Sequence, residues 1–322
     1  MALTREPDRT VGVIGAGLIG RSWAVVFARA GWTVRLFDPD ASQLARARAS
    51  IEAWARELTA ASLVPTPHAV TERIVPTETV PEAVSDAALV QECGPEDEEA
   101  KRAMFAELDR LSDARAVLAS STSSIVASRF TAELAGRSRC LVAHPVNPPH
   151  LVPVVELCPA PWTDAATIDR AEAIYREVGQ VPVRVRKEYE GFVLNRLQGA
   201  LLSEAFRLVA EGVISPLDLD ATVCHGLGLR WSLLGPFATI ALNAPGGTAD
   251  YCARYGGFYR RLAADPPPPE VWQGEPLARV LAACGPVPDA AERERWERAR
   301  DRWLIALKAL KKSMPAPDGE ER

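Results

Sequence analysis

Short apolar runs rich in β-branched residues alternate with longer stretches whose apolar positions recur every three or four residues. This rhythm persists to about residue 186. The short runs predict strands at Val11–Gly15, Thr33–Phe37, Ala88–Glu92, Ala116–Ser120, Arg139–Ala143, Val152–Leu157 and Val181–Arg186. Between the second and third runs, Leu44, Ala47, Ile51, Trp54, Ala55 and Leu58 predict one long helix from Ala41 to about Ser62. Alternation of this kind implies an α/β fold with a mostly parallel, doubly wound sheet.

The pattern changes after Arg186. From Gly191 onward the periodicity is helical throughout. Phe192–Glu211 predicts a helix ended by Gly212, and Ser215-Pro216-Leu217-Asp218 predicts a cap and a new helix. Pro266–Pro269 predicts a rigid spacer. Asp289–Lys312 predicts a charged amphipathic helix with Trp296, Trp303, Leu304, Leu307 and Leu310 on one face. The chain therefore divides near Lys187–Glu190, into an α/β domain over 1–188 and an all-α domain over 189–322.

Composition narrows the class. Charged residues make up 25% of the 322 and hydrophobic ones 48%, as expected of a soluble globular protein. A net charge of −5 gives no electrostatic reason to expect nucleic acid or an anionic membrane as partner. The six cysteines are scattered, with no CxxC pair, which fits reduced thiols packed as small hydrophobes. The N-terminal MALTREPDRT lacks the apolar core of a signal peptide, and no apolar run is long enough to span a bilayer. The expected location is the cytoplasm.

The most informative chemistry lies between Thr10 and Asp38. An apolar strand runs into Gly15-Ala-Gly17-Leu18-Ile19-Gly20, then a helix, a second strand and an acid. Gly15 permits a tight turn, Gly17 lets backbone approach a pyrophosphate, and Gly20 lets the helix pack on the sheet. The amides of Leu18 and Ile19, at the helix N-terminus, point at that diphosphate. Asp38 ends the second strand, where a carboxylate accepts from a ribose diol and repels a 2′-phosphate. The implied fold is Rossmann-type, and the implied cofactor is NAD rather than NADP. Arg35 is the one cation nearby that would argue otherwise.

Four further segments carry reactive groups. Ser120–Ser124 follows a strand, where ligands of a doubly wound sheet bind. His144 also follows a strand, in a proline-fixed loop, His-Pro-Val-Asn-Pro-Pro, and imidazole titrates near working pH. Glu156 comes twelve residues later, far enough for the chain to return and set a carboxylate beside that ring. Asn195, in Gly-Phe-Val-Leu-Asn-Arg, opens the helical region with both a donor and an acceptor.

In order and spacing these segments resemble the 3-hydroxyacyl-CoA dehydrogenase superfamily, and within it the lambda-crystallin branch. The carriers are GAGLIGRSWA, VQECGPEDEEAKR, SSTSS, HPVNPP with VVEL, GFVLNRLQ, EGVISPLDLD and GLGLRWSLLGP. The resemblance implies catalytic roles for Ser123, His144, Glu156 and Asn195. It implies nicotinamide-ribose contacts at Glu96 and Lys101. Ser121 joins the cofactor set; it stands where acyl-CoA enzymes of the superfamily commonly carry asparagine. The implied reaction is NAD-dependent oxidation of a 3-hydroxyl to a ketone. His144 would take the proton, while Ser123 and Asn195 hold the substrate oxygen. Arg230, in Gly-Leu-Gly-Leu-Arg-Trp, implies a substrate with a free carboxylate, such as L-gulonate. Carnitine, 3-hydroxybutyrate, a short acyl-CoA and a crystallin-like structural role are the alternatives. His225, Gly94 and Asn243–Gly247 depart from the branch's pattern. A small hydroxy acid is the expected ligand, and a homodimer through the helical domain the expected assembly.

Overall fold

The computed structural model describes residues 9–314. Residues 1–8, most of the segment read above for a leader, lie outside it, as do residues 315–322.

Eight strands form one sheet in the order β3-β2-β1-β4-β5-β6-β7-β8. They are β1 Thr10–Ile14, β2 Thr33–Phe37, β3 Ile74–Thr77, β4 Leu89–Glu92, β5 Val117–Ser120, β6 Cys140–Pro145, β7 Val154–Pro159 and β8 Val181–Arg184. All neighbours run parallel except β6 and β7, which pair antiparallel. β1 is central, and Val11, Val13 and Ile14 are all buried, because both sheet faces are covered. One face packs Trp23 and Phe27 of α1 (Leu18–Arg29) and Ile51 of α2 (Ala41–Ala60). The other packs Phe105 and Phe130. β3 is an edge strand that the hydrophobic pattern does not reveal. Pro76 lies within it, and proline is tolerated at an edge where no ladder donor is needed.

Two compact units emerge from the contacts. The first comprises the described residues up to Asn195 together with those from Ala291 onward; the second is Arg196–Ala290. The expectation that residues 189–322 form one helical region is thus corrected at its end. The C-terminal helix, Ala290–Ser313, joins the first unit, burying Ile305 and packing Leu304 against the sheet's core. Trp296 and Trp303, on the apolar face expected of this helix, are 67% and 79% exposed.

In the second unit every described element is helical. Ser215 caps Pro216–Thr222 by accepting from the Asp218 amide, as its sequence predicts. The helix expected to start at Phe192 starts at Leu194, because Gly191 and Phe192 both take positive φ and Phe192 turns into the core. Among the described residues no helix is long and apolar enough to cross a membrane.

Candidate active site

Strand order reverses between β1 and β4, and a doubly wound sheet opens a ligand crevice at such a point. A cavity of about 780 Å³ lies there, lined in part by Gly15, Gly17, Asp38, Glu92 and Lys101. Gly15 sits at φ +103°, and a Cβ on it would stand 2.7 Å from the Cys93 carbonyl oxygen. A Cβ on Gly20 would fall 1.7 Å from the Gly15 carbonyl oxygen. Both positions therefore exclude a side chain. Around Gly17 the space is open, so nothing blocks approach to the first amides of α1, including Leu18 and Ile19.

Asp38 follows β2 and is held by both oxygens. Oδ2 accepts from the Ala16 amide at 2.7 Å, and Oδ1 from the Asp40 amide at 2.9 Å. Arg35 points elsewhere, its guanidinium donating to the carbonyls of Ser85 and Glu82. No competing cation from Arg35 reaches the position beside Asp38. The glycine cradle, free amides and fixed carboxylate together fit an adenine dinucleotide without a 2′-phosphate.

Glu92 ends β4 and organises the floor. Lys101 Nζ lies 3.1 Å from each of its carboxylate oxygens, Ser120 donates to Oε2 at 2.6 Å, and the Gly94 amide donates to Oε1 at 2.6 Å. Lys101 is only 2% exposed. Lys101, for which the resemblance implied a ribose contact, lines the cavity with its ammonium on Glu92 and with Glu96 Oε2 at 3.9 Å. Glu92 was not among the expected site residues. Its signal was available: an acid closing an apolar strand, with a lysine nine residues on.

Glu96 binds the serine loop. Its Oε1 accepts from Thr122 Oγ1 at 2.5 Å, the amides of Ser123 and Ser124 at 3.0 and 2.9 Å, and Ser124 Oγ at 2.8 Å. Burial raises its pKa, but hydrogen bonds from Thr122 and Ser124, with the charge of Lys101, outweigh that and hold it below the usual carboxylate value. Ser121 turns inward. Its hydroxyl accepts from Trp23 Nε1 at 3.1 Å and Gln91 Nε2 at 2.7 Å, and lies 3.2 Å from Cys93 Sγ. Both acceptor positions of that hydroxyl are thus used within the protein, while the residue itself is half-buried. Ser123 is exposed, and its hydroxyl has no partner among the described residues.

His144 and Glu156 occupy facing positions of the β6–β7 ladder. An antiparallel pair sets facing side chains within contact range, which is how a strand-end acid comes to lie beside the ring. Nδ1 lies 2.8 Å from Oε2, and both side chains are nearly solvent-free. Oε1 accepts from the amides of Val193 and Leu194 at 2.9 and 3.0 Å, at the start of helix Leu194–Ala210. A carboxylate is favoured at a helix N-terminus. With Glu156 accepting, Nδ1 carries the proton and Nε2 is the free ring nitrogen. Asn195 donates from Nδ2 to the Ser123 carbonyl at 2.8 Å, so one of its N–H groups ties the two segments together. The site residues brought together in the first unit are thus Ser123, His144, Glu156 and Asn195, with Glu96 behind them.

Arg230 belongs to the second unit. It lies on the short helix Gly228–Trp231, directly after a π-helical turn at Val223–Leu227. It is exposed, and no acidic partner meets it among the described residues. Among those residues no group of histidines, cysteines and acids is placed to hold a metal.

Comparison with known proteins agrees with this geometry. The NAD-binding domain of 3-hydroxyacyl-CoA dehydrogenase matches residues 10–189, and the C-terminal domain of the same family matches residues 191–270. The lambda-crystallin homolog of Bos taurus is 46% identical over 311 residues, covering 95% of this chain and 96% of its own. L-carnitine dehydrogenase of Streptomyces coelicolor is 35% identical over 319 residues, covering 97% and 98%. Among solved structures, 5-formyl-3-hydroxy-2-methylpyridine 4-carboxylic acid 5-dehydrogenase, an NAD+-dependent dismutase, aligns with a TM-score of 0.80. It is 27% identical, over 95% of this chain and 99% of that one.

Proposed function

The chain belongs to the 3-hydroxyacyl-CoA dehydrogenase family of NAD-dependent oxidoreductases, and from that premise we propose that it oxidises the 3-hydroxyl of a small 3-hydroxy acid, with L-gulonate preferred. The observation that carries the chemistry is the His144–Glu156 hydrogen bond at 2.8 Å. Bound NAD supplies the hydride acceptor. The glycine turn and α1 amides bind its pyrophosphate, and Asp38 its ribose. His144 takes the hydroxyl proton at Nε2. Glu156 fixes the ring's tautomer and stabilises the imidazolium that forms. Ser123 and Asn195 hold the substrate oxygen as it becomes a carbonyl, and Glu96 keeps the serine loop in place.

Arg230 recognises the substrate carboxylate. Its lack of an acidic partner supports this, since a guanidinium forks two hydrogen bonds onto a carboxylate. Two of the similar proteins named above act, by name, on carnitine and on a pyridine carboxylic acid, both of which bear a free carboxylate. The test is NADH formation with gulonate, carnitine, 3-hydroxybutyrate and 3-hydroxybutyryl-CoA. Turnover of gulonate above the others supports the reading. A preference for the thioester would reassign the substrate, and NADH binding without any turnover would favour a crystallin-like role. Arg230→Met should raise the gulonate KM ten-fold or more, the scale of a charged hydrogen bond worth about 1.5–3 kcal/mol. An unchanged KM sinks the carboxylate assignment.

The assembly we infer is a homodimer through the helical unit. Leu217, Leu229, Leu233, Phe237 and Leu242 are all more than 65% exposed there, an apolar surface suited to a second copy. Sedimentation showing a monomer at micromolar concentration would refute it. All six cysteines are free, which supports a reducing compartment such as the cytoplasm.

A further inference from the structure

The chain between His144 and Glu156 makes a compact turn. Leu151 and Val152 both donate to the Pro148 carbonyl at 2.9 Å, and the Val146 amide donates to Val154 O at 3.3 Å. Two cations hold the far side of this turn. Arg29 Nη1, from the last turn of α1, donates to the His150 carbonyl at 2.6 Å. Lys308 Nζ, from the C-terminal helix, lies 3.5 Å from the carbonyl oxygens of both His150 and Leu151.

Neither cation meets a carboxylate among the described residues. Burial pulls Lys308 down to about 7, with the charge of Arg29 adding to it, and pulls Arg29 down to about 10. Two desolvated like charges are unfavourable unless dipoles compensate them, and the carbonyl ends of the turn are those dipoles. The His150 ring is buried, stacks on Trp54 at 4.2 Å and lies 3.2 Å from Ser22 Oγ. The turn is therefore fixed at one point to α1, α2 and the C-terminal helix.

The geometry points to Lys308 as a positioning residue for the His144–Glu156 pair, acting through the carbonyls of the turn that joins them. The inference rests on the reading of that pair as the acid–base machinery. It makes the C-terminal helix a working part of the first unit. The ladder pairs the two strands along their length, and the turn closes the end of it that carries Pro145 opposite Val155 and His144 opposite Glu156, so a shift of the turn acts first on the pair's own end of the ladder. A displacement of about 1 Å at a reacting group is enough to lower turnover on the order of a hundred-fold.

The experiment uses the full chain with Lys308→Met, Lys308→Arg, Lys308→Gln and, as a control on the exposed side of the same helix, Lys311→Met. Turnover is measured with whichever 3-hydroxy acid the substrate panel identifies, alongside NADH affinity. Two readouts do not need turnover: hydrogen exchange of peptides spanning 144–156, and the His144 ring resonance, assigned by its loss in His144→Gln. Lys308→Met should lower kcat on the order of ten-fold, speed exchange across 144–156 and shift the ring resonance, with NADH affinity unchanged. Lys308→Arg should restore all three, and Lys311→Met should match the parent. A folded Lys308→Met with parental exchange and ring resonance overturns the inference. If Lys308→Met does not fold, Lys308→Gln, whose amide is uncharged and one bond shorter than the Lys308 ammonium arm, takes its place and is judged by the same criteria. Absence of turnover on every 3-hydroxy acid would defeat the activity reading, while exchange and the ring resonance would still decide the role of Lys308.

Discussion

Glu156 holds His144 with one carboxylate oxygen and the start of the next helix with the other. Oε2 lies 2.8 Å from Nδ1, and Oε1 accepts from Val193 and Leu194. The carboxylate is thereby fixed on both sides, and the ring is fixed with it. Glu156→Gln keeps an acceptor for the two amides but replaces the charge facing the ring. Turnover should fall by about 10²–10⁴-fold, the usual span for positioned acid–base catalysis. NADH affinity should be retained, because Glu156 does not line the dinucleotide cavity. Steady-state kinetics and NADH fluorescence titration check both halves. Parental turnover in this variant would remove Glu156 from the mechanism.

The Glu92–Lys101 pair leads to a stability prediction. Both side chains are 2% exposed. Removing one partner leaves an unpaired charge in the interior, so Lys101→Met should cost about 3–5 kcal/mol in denaturant unfolding. Adding Glu92→Gln to that variant should recover part of the loss, since the orphan charge is then gone. A single variant as stable as the parent would mean that the pair is hydrated, contrary to its burial.

His150 sets a pH dependence. Burial, reinforced by the charges of Arg29, Lys308, Arg300 and Arg21, lowers its pKa to about 3. An unfolded histidine titrates near 6.5. Between those values the unfolded chain binds a proton that the folded chain does not. Unfolding free energy therefore rises with pH across this window: the contribution is complete above about 6.5 and is lost as pH falls toward 3. The slope from one such proton is about 1.4 kcal/mol per pH unit. Urea unfolding at pH 7, 6 and 5 should show it, and His150→Gln should flatten it. An equal slope in parent and variant would place the proton elsewhere.

Much of this arrangement was legible from the chain. The glycine turn reads directly because backbone conformation and close packing dictate residue type: no side chain fits at Gly15 or Gly20. Seven of the eight strands follow from apolar runs, while β3 escapes because Pro76 interrupts its pattern at a sheet edge. Glu156 was readable as a partner of His144 from spacing, but the antiparallel register that sets them opposite is a tertiary property. Side-chain direction was the least legible feature. Ser121 and Ser123 are two residues apart in a serine-rich run, yet one hydroxyl meets Trp23 and Gln91 and the other is exposed. The C-terminal helix shows the same limit. Its tryptophans dominate the apolar pattern, but Ile305 and Leu304 make the contact with the core.

Cofactor choice follows from Asp38 and from where Arg35 goes. The carboxylate is oriented by the Ala16 and Asp40 amides, and Arg35 is tied to the carbonyls of Ser85 and Glu82. A ribose diol gains hydrogen bonds to a fixed charge, whereas a 2′-phosphate meets repulsion with no local cation to offset it. Asp38→Asn removes the charge and keeps an acceptor oxygen for only one of the two amides, the other then facing the new –NH2 group. With a charged hydrogen bond worth about 1.5–3 kcal/mol, kcat/KM for NAD should fall ten-fold or more. Use of NADP should rise only modestly, because Arg35 is engaged elsewhere. Combining Asp38→Ser with Pro39→Arg, which brings a guanidinium to the end of β2, should raise kcat/KM for NADP further and reverse the preference. The ratio of kcat/KM for the two cofactors is the measurement. An Asp38→Asn variant that uses NAD as well as the parent would show that the ribose does not rest on this carboxylate.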